Sequence, residues 1–146
     1  MKPLILTFFT LSAFLSASIA QESEKLFTLK ILPLLSEKCF GCHDPSQEVK
    51  GGFDMTSRDA LLKGGKEFSD TLVPGSAEKS FIMAAVKWAD PDFEMPPKEN
   101  DRLSEKQIKY LADWIDAGAP WPNKGLFRDF RGNYLTERDL TLRRKT

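Results

Sequence analysis

One histidine, two cysteines and two tyrosines among 146 residues leave this chain little with which to build most kinds of reactive centre. Two imidazoles cannot meet on one metal within a chain whose only histidine is His43. Zinc takes four ligands, and Cys39, Cys42 and His43 are the only soft or imidazole donors, so a carboxylate or a water would have to complete such a set. The P-loop, the dinucleotide fingerprint, the hydrolase nucleophile elbow and the zinc-protease helix motif are all missing. Carboxylates are plentiful, yet no pair stands out as general acid and base. An excess of one charge is lacking too, since 21 Lys and Arg balance 21 Asp and Glu.

The only long apolar run lies at the start. Lys2 precedes an apolar stretch from Leu4 to Leu15 that ends in Ser16-Ala17-Ser18-Ile19-Ala20. Small residues at Ser18 and Ala20 predict a secretory signal over 1–20, cut before Gln21. The alternative is an uncleaved anchor, for which residues 3–20 are barely long enough and carry Thr and Ser throughout. No cysteine lies near the junction, so a soluble periplasmic or secreted product is expected rather than a lipid-anchored one. Cleavage would leave 126 of the 146 residues, enough for one small domain and too few for two. Charge in that product is uneven: residues 123–146 hold seven basic and three acidic side chains, and residues 21–122 are net acidic. A solvated tail is the ordinary reading of 123–146, as a short helix from Thr136 or an irregular end. A basic arm that steers an anionic partner is the sharper one.

Cys39-Phe40-Gly41-Cys42-His43 carries the chemistry. Cys-x-x-Cys-His is the attachment site of a c-type haem: thiols two residues apart share about one helical turn, so both can form thioethers to one porphyrin. His43 would be the proximal ligand, its other ring nitrogen free to bond a backbone carbonyl. Three plainer readings compete. They are a structural disulfide, a thioredoxin-like redox pair and part of a zinc site. A thioredoxin-like pair wants a βαβ setting, which the sequence does not offer. The export signal supports haem, because haem is attached to such proteins outside the cytoplasm.

Helical periodicity dominates the rest. Leu26, Phe27, Ile31, Leu34 and Leu35 predict a helix over 23–38, with Pro33 either opening a second piece or kinking a single one. Lys50-Gly51-Gly52-Phe53-Asp54-Met55 reads as a turn into an extended piece. Thr56 or Ser57 caps a short helix through Lys63 that Gly64-Gly65 ends. Val73-Pro74-Gly75 is a turn delivering Ser76 as cap of a helix with Phe81, Ile82, Ala85 and Val86 on one side. Proline and charge then hold 89–101 as a loop. The last helix opens at Ser104 with Gln107 as capping-box partner and a Leu103 to Ile108 staple, buries Ile108, Leu111, Ala112 and Ile115, and closes at Gly118.

A sixth iron ligand, if there is one, must be methionine or a weaker donor such as Lys or Asn; the other possibility is an open site. Met83 sits among helical apolar residues, as core filler does. Met55 follows two glycines close to the haem motif and stays a candidate. Met95 is favoured because it lies in an extended loop ahead of two stiffening prolines. Phe40, Phe53, Phe81, Trp114 and Ile115 are candidates to keep water from the ring, or ordinary core.

Cys39 to His43, Lys50-Gly51-Gly52-Phe53-Asp54, Val73-Pro74-Gly75, Ser80, Met95-Pro96-Pro97, and Trp114-Ile115 with Gly118-Ala119-Pro120-Trp121 together resemble the cytochrome c domain of planctomycete type, over about residues 24–122. The resemblance implies an all-α, class I cytochrome c-like fold around one haem c, thioether-bound at Cys39 and Cys42, with His43 and Met95 as axial ligands. The haem motif and the export signal together predict an electron carrier rather than an enzyme, monomeric, serving a periplasmic redox protein as donor or acceptor, with no nucleic acid involved. In the family this domain often opens much longer proteins, whereas this chain stops at Thr146. The competing function is a haem-based sensor or enzyme module with a labile or open distal site. A multi-haem peroxidase is excluded by the single motif, and no distal histidine exists for peroxide chemistry. The third possibility is a module without haem that holds Cys-x-x-Cys-His by chance.

Overall fold

A computed structural model describes residues 22–46 and 48–122 of the chain. The expected signal segment, its cleavage site and the basic tail lie outside the described residues. What is described is all-α, with one two-residue extended piece and no sheet.

Helix α1 spans 22–38 and buries Phe27, Ile31, Leu32, Leu34 and Leu35. Its middle, Phe27–Ile31, is wound as a π-helix, and the Leu32 N–H reaches back five residues to the Phe27 carbonyl. Pro33, which has no N–H to give, stands in the first turn of the α-helical stretch Leu32–Lys38. The wide turn comes directly before the residue that cannot join the ladder, so one helix runs through without a break. Cys39 departs from helical geometry, and a single turn, α2 (Phe40–His43), follows it.

Beyond α2, the extended pair β1 (Glu48–Val49) bridges back to His43. The turn Lys50–Gly52 then places both Gly51 and Gly52 at positive φ, 61° and 65°, which two successive side-chain-bearing residues would resist. A Cβ on Gly52 would also stand 2.8 Å from the Lys66 side chain, which crosses it. Ser57, the second of the two expected caps, accepts the Ala60 N–H at the start of α3 (Arg58–Lys63), and Gly64 at φ 76° ends it.

Helix α4 (Phe81–Lys87) starts later than expected. Ser80, not Ser76, is its N-terminal flank, and no side chain caps it. The Ser80 hydroxyl is committed elsewhere: it accepts the Val73 N–H at 2.9 Å and donates to the Ser76 carbonyl at 2.9 Å, which locks the Val73-Pro74-Gly75 turn onto the helix. The last helix, α5 (Glu105–Asp116), opens with the expected capping box between Ser104 and Gln107 and ends with Gly118 at φ 93°.

The core lies where α1 and α4 pack on α5. Phe27 of α1 meets Trp114 of α5 at 5.9 Å between ring centres and Trp121 at 4.5 Å. Loops are fastened to the C-terminal end of α5 by polar ties. Gly75 N–H donates to the Ile115 carbonyl at 2.8 Å, Ala77 N–H to Asp116 Oδ1 at 2.7 Å, and the Arg58 guanidinium to the carbonyls of Gly118 and Ala119. Bonds of this kind keep the connecting loops fixed in place.

Candidate functional site

Residues drawn from several segments between Lys38 and Leu103 line a cavity of about 350 Å³, within the usual range for small-molecule sites. One wall comes from the sequence motif. Backbone bonds from Cys42 and His43 to the Cys39 carbonyl, at 3.1 and 3.0 Å, put both thiols and the imidazole on a single turn, and all three side chains face the cavity. His43 Nδ1 is 2.9 Å from the Phe53 carbonyl oxygen, so Nδ1 carries the proton and Nε2 keeps a free lone pair. The Phe53 ring meets the imidazole edge at 5.6 Å. Met55 also lies on this wall, its N–H donating to the His43 carbonyl at 2.9 Å.

The facing elements are apolar. Phe81, Ile82, Ala85 and Val86 of α4 line the cavity, as do Phe68 and Phe93. Phe68 and Phe81 stack at 3.9 Å, and Phe93 stands edge-on to both at 5.0 and 5.2 Å. Met95 belongs to this side. Its N–H donates to the Ala85 carbonyl at 3.1 Å, which ties the Met95-Pro96-Pro97 loop to α4. Among the described residues it is the exposed large hydrophobic side chain, 37% accessible where Met55 and Met83 are at 3% and 4%. Met83 does not reach the cavity.

Of the five residues expected to dry the site, Phe53 and Phe81 line it. Phe40, Trp114 and Ile115 instead belong to the core behind it. Sequence reasoning passed over Phe68 and Phe93, which sit in stretches without periodicity; the density of Phe between 53 and 93 was the available signal.

The thiols argue against the plainer readings of the motif. Both are free, with no disulfide between them. Burial pushes the Cys39 thiol up to about 12, the opposite of the depressed value that makes a redox-active or metal-binding thiolate. Among the described residues, which include every Cys and His, no three Cys, His, Asp or Glu side chains converge to hold a metal ion. The same arrangement fits haem c: two free thiols on one turn, an oriented imidazole, a thioether on the same apolar cavity, and aromatic walls. Among the described residues no helix is long and apolar enough to cross a membrane.

Comparison with known proteins agrees with this chemistry. The family model described as Planctomycete cytochrome C matches residues 39–99, from the first thiol to just past Met95-Pro96-Pro97. No curated protein and no solved structure matches the chain.

Proposed function

We propose, from the premise that residues 39–99 are a planctomycete-type c-type cytochrome segment, that the protein is an exported single-electron carrier with one haem c. The observation that carries this reading is the meeting of Cys39, Cys42, His43 and Met95 on one apolar cavity, with His43 Nδ1 already engaged. Cys39 and Cys42 would hold the ring by thioethers, and the fold would be of class I type. Bound haem supplies a ferric/ferrous couple that takes up and releases one electron.

The chain's own residues set the terms of that couple. The Phe53 carbonyl accepts from Nδ1 and thereby fixes the imidazole plane, leaving Nε2 as the nitrogen that would hold the iron. Met95 reaches the cavity from the loop tied to α4, whereas Met55 is bonded to the His43 carbonyl itself, so Met95 would be the sulfur that holds the iron from the facing wall. A thioether there favours ferrous iron relative to a second imidazole. Phe53, Phe68, Phe81 and Phe93 exclude water, which disfavours the extra charge of the ferric state and acts in the same direction. The partner is a redox protein of the periplasm that makes a small, transient contact. Export follows from the signal expected over residues 1–20, with the product a monomer.

A second reading, a sensor or enzyme module with a labile distal site, draws on the 37% exposure of Met95. Spectra of ferric and ferrous protein made with a c-type haem maturation system, beside Met95→Ala, decide between them. The carrier is expected to show low-spin covalent haem with a sulfur-to-iron charge-transfer band that the substitution removes. High-spin haem unaffected by Met95→Ala would favour the sensor, and protein without covalent haem would end both readings.

A further inference from the structure

One buried polar side chain of the cavity has no part in the reading above. The lining residues that are buried are Met55, Thr71, Ile82, Ala85, Val86 and Leu103, and of these only Thr71, 7% exposed, carries a hydroxyl or a charge. Lys50, Lys66, Glu67 and Asp92 also line the cavity but are exposed, where water solvates them. Thr71 belongs to the wall that faces the haem motif. Its carbonyl accepts the Ile82 N–H at 3.1 Å, at the start of α4, and the same helix holds the Met95 N–H through Ala85.

The hydroxyl is not needed to complete the backbone. It donates to the Phe68 carbonyl at 2.9 Å, yet that carbonyl already accepts the Gly65 N–H at 3.0 Å. Valine has the same branched shape and would line an apolar wall without the cost of burying a hydroxyl. With its proton committed to Phe68, the hydroxyl keeps lone pairs on its oxygen, and among the described residues no donor reaches that oxygen. A fixed acceptor in an otherwise apolar wall is matched by a ligand that brings its own hydrogen.

Resting on the haem reading, we infer that the Thr71 oxygen is the acceptor for a hydrogen-bearing ligand at the iron position that Met95 would fill. When the sulfur is absent, a neutral nitrogen base that carries an N–H coordinates through one nitrogen and gives its hydrogen to Thr71. Carbon monoxide has no hydrogen to give and gains nothing from the contact. Thr71 thus selects among ligands without itself holding the metal.

The test uses haem-loaded Met95→Ala protein, in which the position is open, alone and with Thr71→Val, which keeps the shape and deletes the hydroxyl, or Thr71→Ser, which keeps the hydroxyl. Imidazole and N-methylimidazole share the coordinating nitrogen and differ in the N–H, so the ratio of their dissociation constants, read by optical titration of the ferric protein, reports the hydrogen bond. Thr71→Val should reduce the preference for imidazole by about three- to tenfold, the range of one net hydrogen bond. Thr71→Ser should retain the preference, and the carbon monoxide affinity of the ferrous protein should be the same in all three. An unchanged ratio in Thr71→Val, an equal loss of carbon monoxide affinity, or a haem-loaded Met95→Ala protein that binds neither base would overturn the role of Thr71 and leave the haem assignment standing. Protein that acquires no covalent haem would overturn both.

Discussion

Two aromatic clusters of three rings each stand in this small domain, and they differ in what closes them. Phe27, Trp114 and Trp121 meet at 4.5 to 6.4 Å between centres. Phe27 and Trp114 are fully buried, and the Trp114 N–H is satisfied by the Pro120 carbonyl at 2.9 Å. Phe68, Phe81 and Phe93 meet more tightly, at 3.9 to 5.2 Å, yet all three remain half-buried and open on the cavity. The first cluster is sealed by the chain itself. The second is finished only when something fills the space in front of it, so composition alone does not distinguish a core from a binding wall.

Breaking the sealed cluster should cost most. Trp114→Ala is expected to lower the unfolding free energy by about 3–5 kcal/mol, with or without haem, as read by denaturant titration. A loss below about 1 kcal/mol would mean that the cluster does not hold α1 to α5.

The open side should instead reveal itself by pH. Cys39 has its thiol value raised to about 12 from 9.0 by burial, so above pH 9.0 the unfolded chain sheds a proton that the folded one keeps. Stability of haem-free protein is therefore full below 9.0 and falls by about 1.4 kcal/mol per pH unit toward 12. The proposed thioether at Cys39 would remove the thiol, and that slope with it; equal slopes in protein with and without haem would contradict that attachment.

Phe81→Ala should sharpen the contrast. Without haem it should cost about 1–2 kcal/mol, since the ring is only partly buried. The larger consequence should come in the haem-bound form, as a lower reduction potential from admitted water. Smallest of all, Ser104→Ala removes the cap of the helix that carries Trp114, and should cost about 1 kcal/mol with no change in the haem spectrum.

What could be read before folding was whatever depends on near neighbours. The Ser104–Gln107 capping box and the stop at Gly118 are written within a few residues, and they appear as expected. So does the turn that groups Cys39, Cys42 and His43, and the pocket gathers Met95 with them. The misplaced start of α4 shows the limit. Ser76 satisfies the local rule for a cap, but the fold spends Ser80 on the Val73 turn and fastens that turn to Ile115, a partner forty residues away in sequence. Likewise Arg58 reads as an ordinary charged residue of a short helix until its guanidinium is seen holding the carbonyls of Gly118 and Ala119. Long-range ties of this kind leave no periodic trace.

His43 is secured at four points: Nδ1 to Phe53, its N–H to the Cys39 carbonyl, its carbonyl to the Met55 N–H, and its backbone bridge to Val49. Met95 has one backbone tie and a side chain open to solvent. If iron is held between His43 and Met95 as proposed, any small molecule that competes for it should displace the sulfur and leave the imidazole in place. The half of the site encoded by five consecutive residues is the permanent half, and the half that closes over it is the exchangeable one.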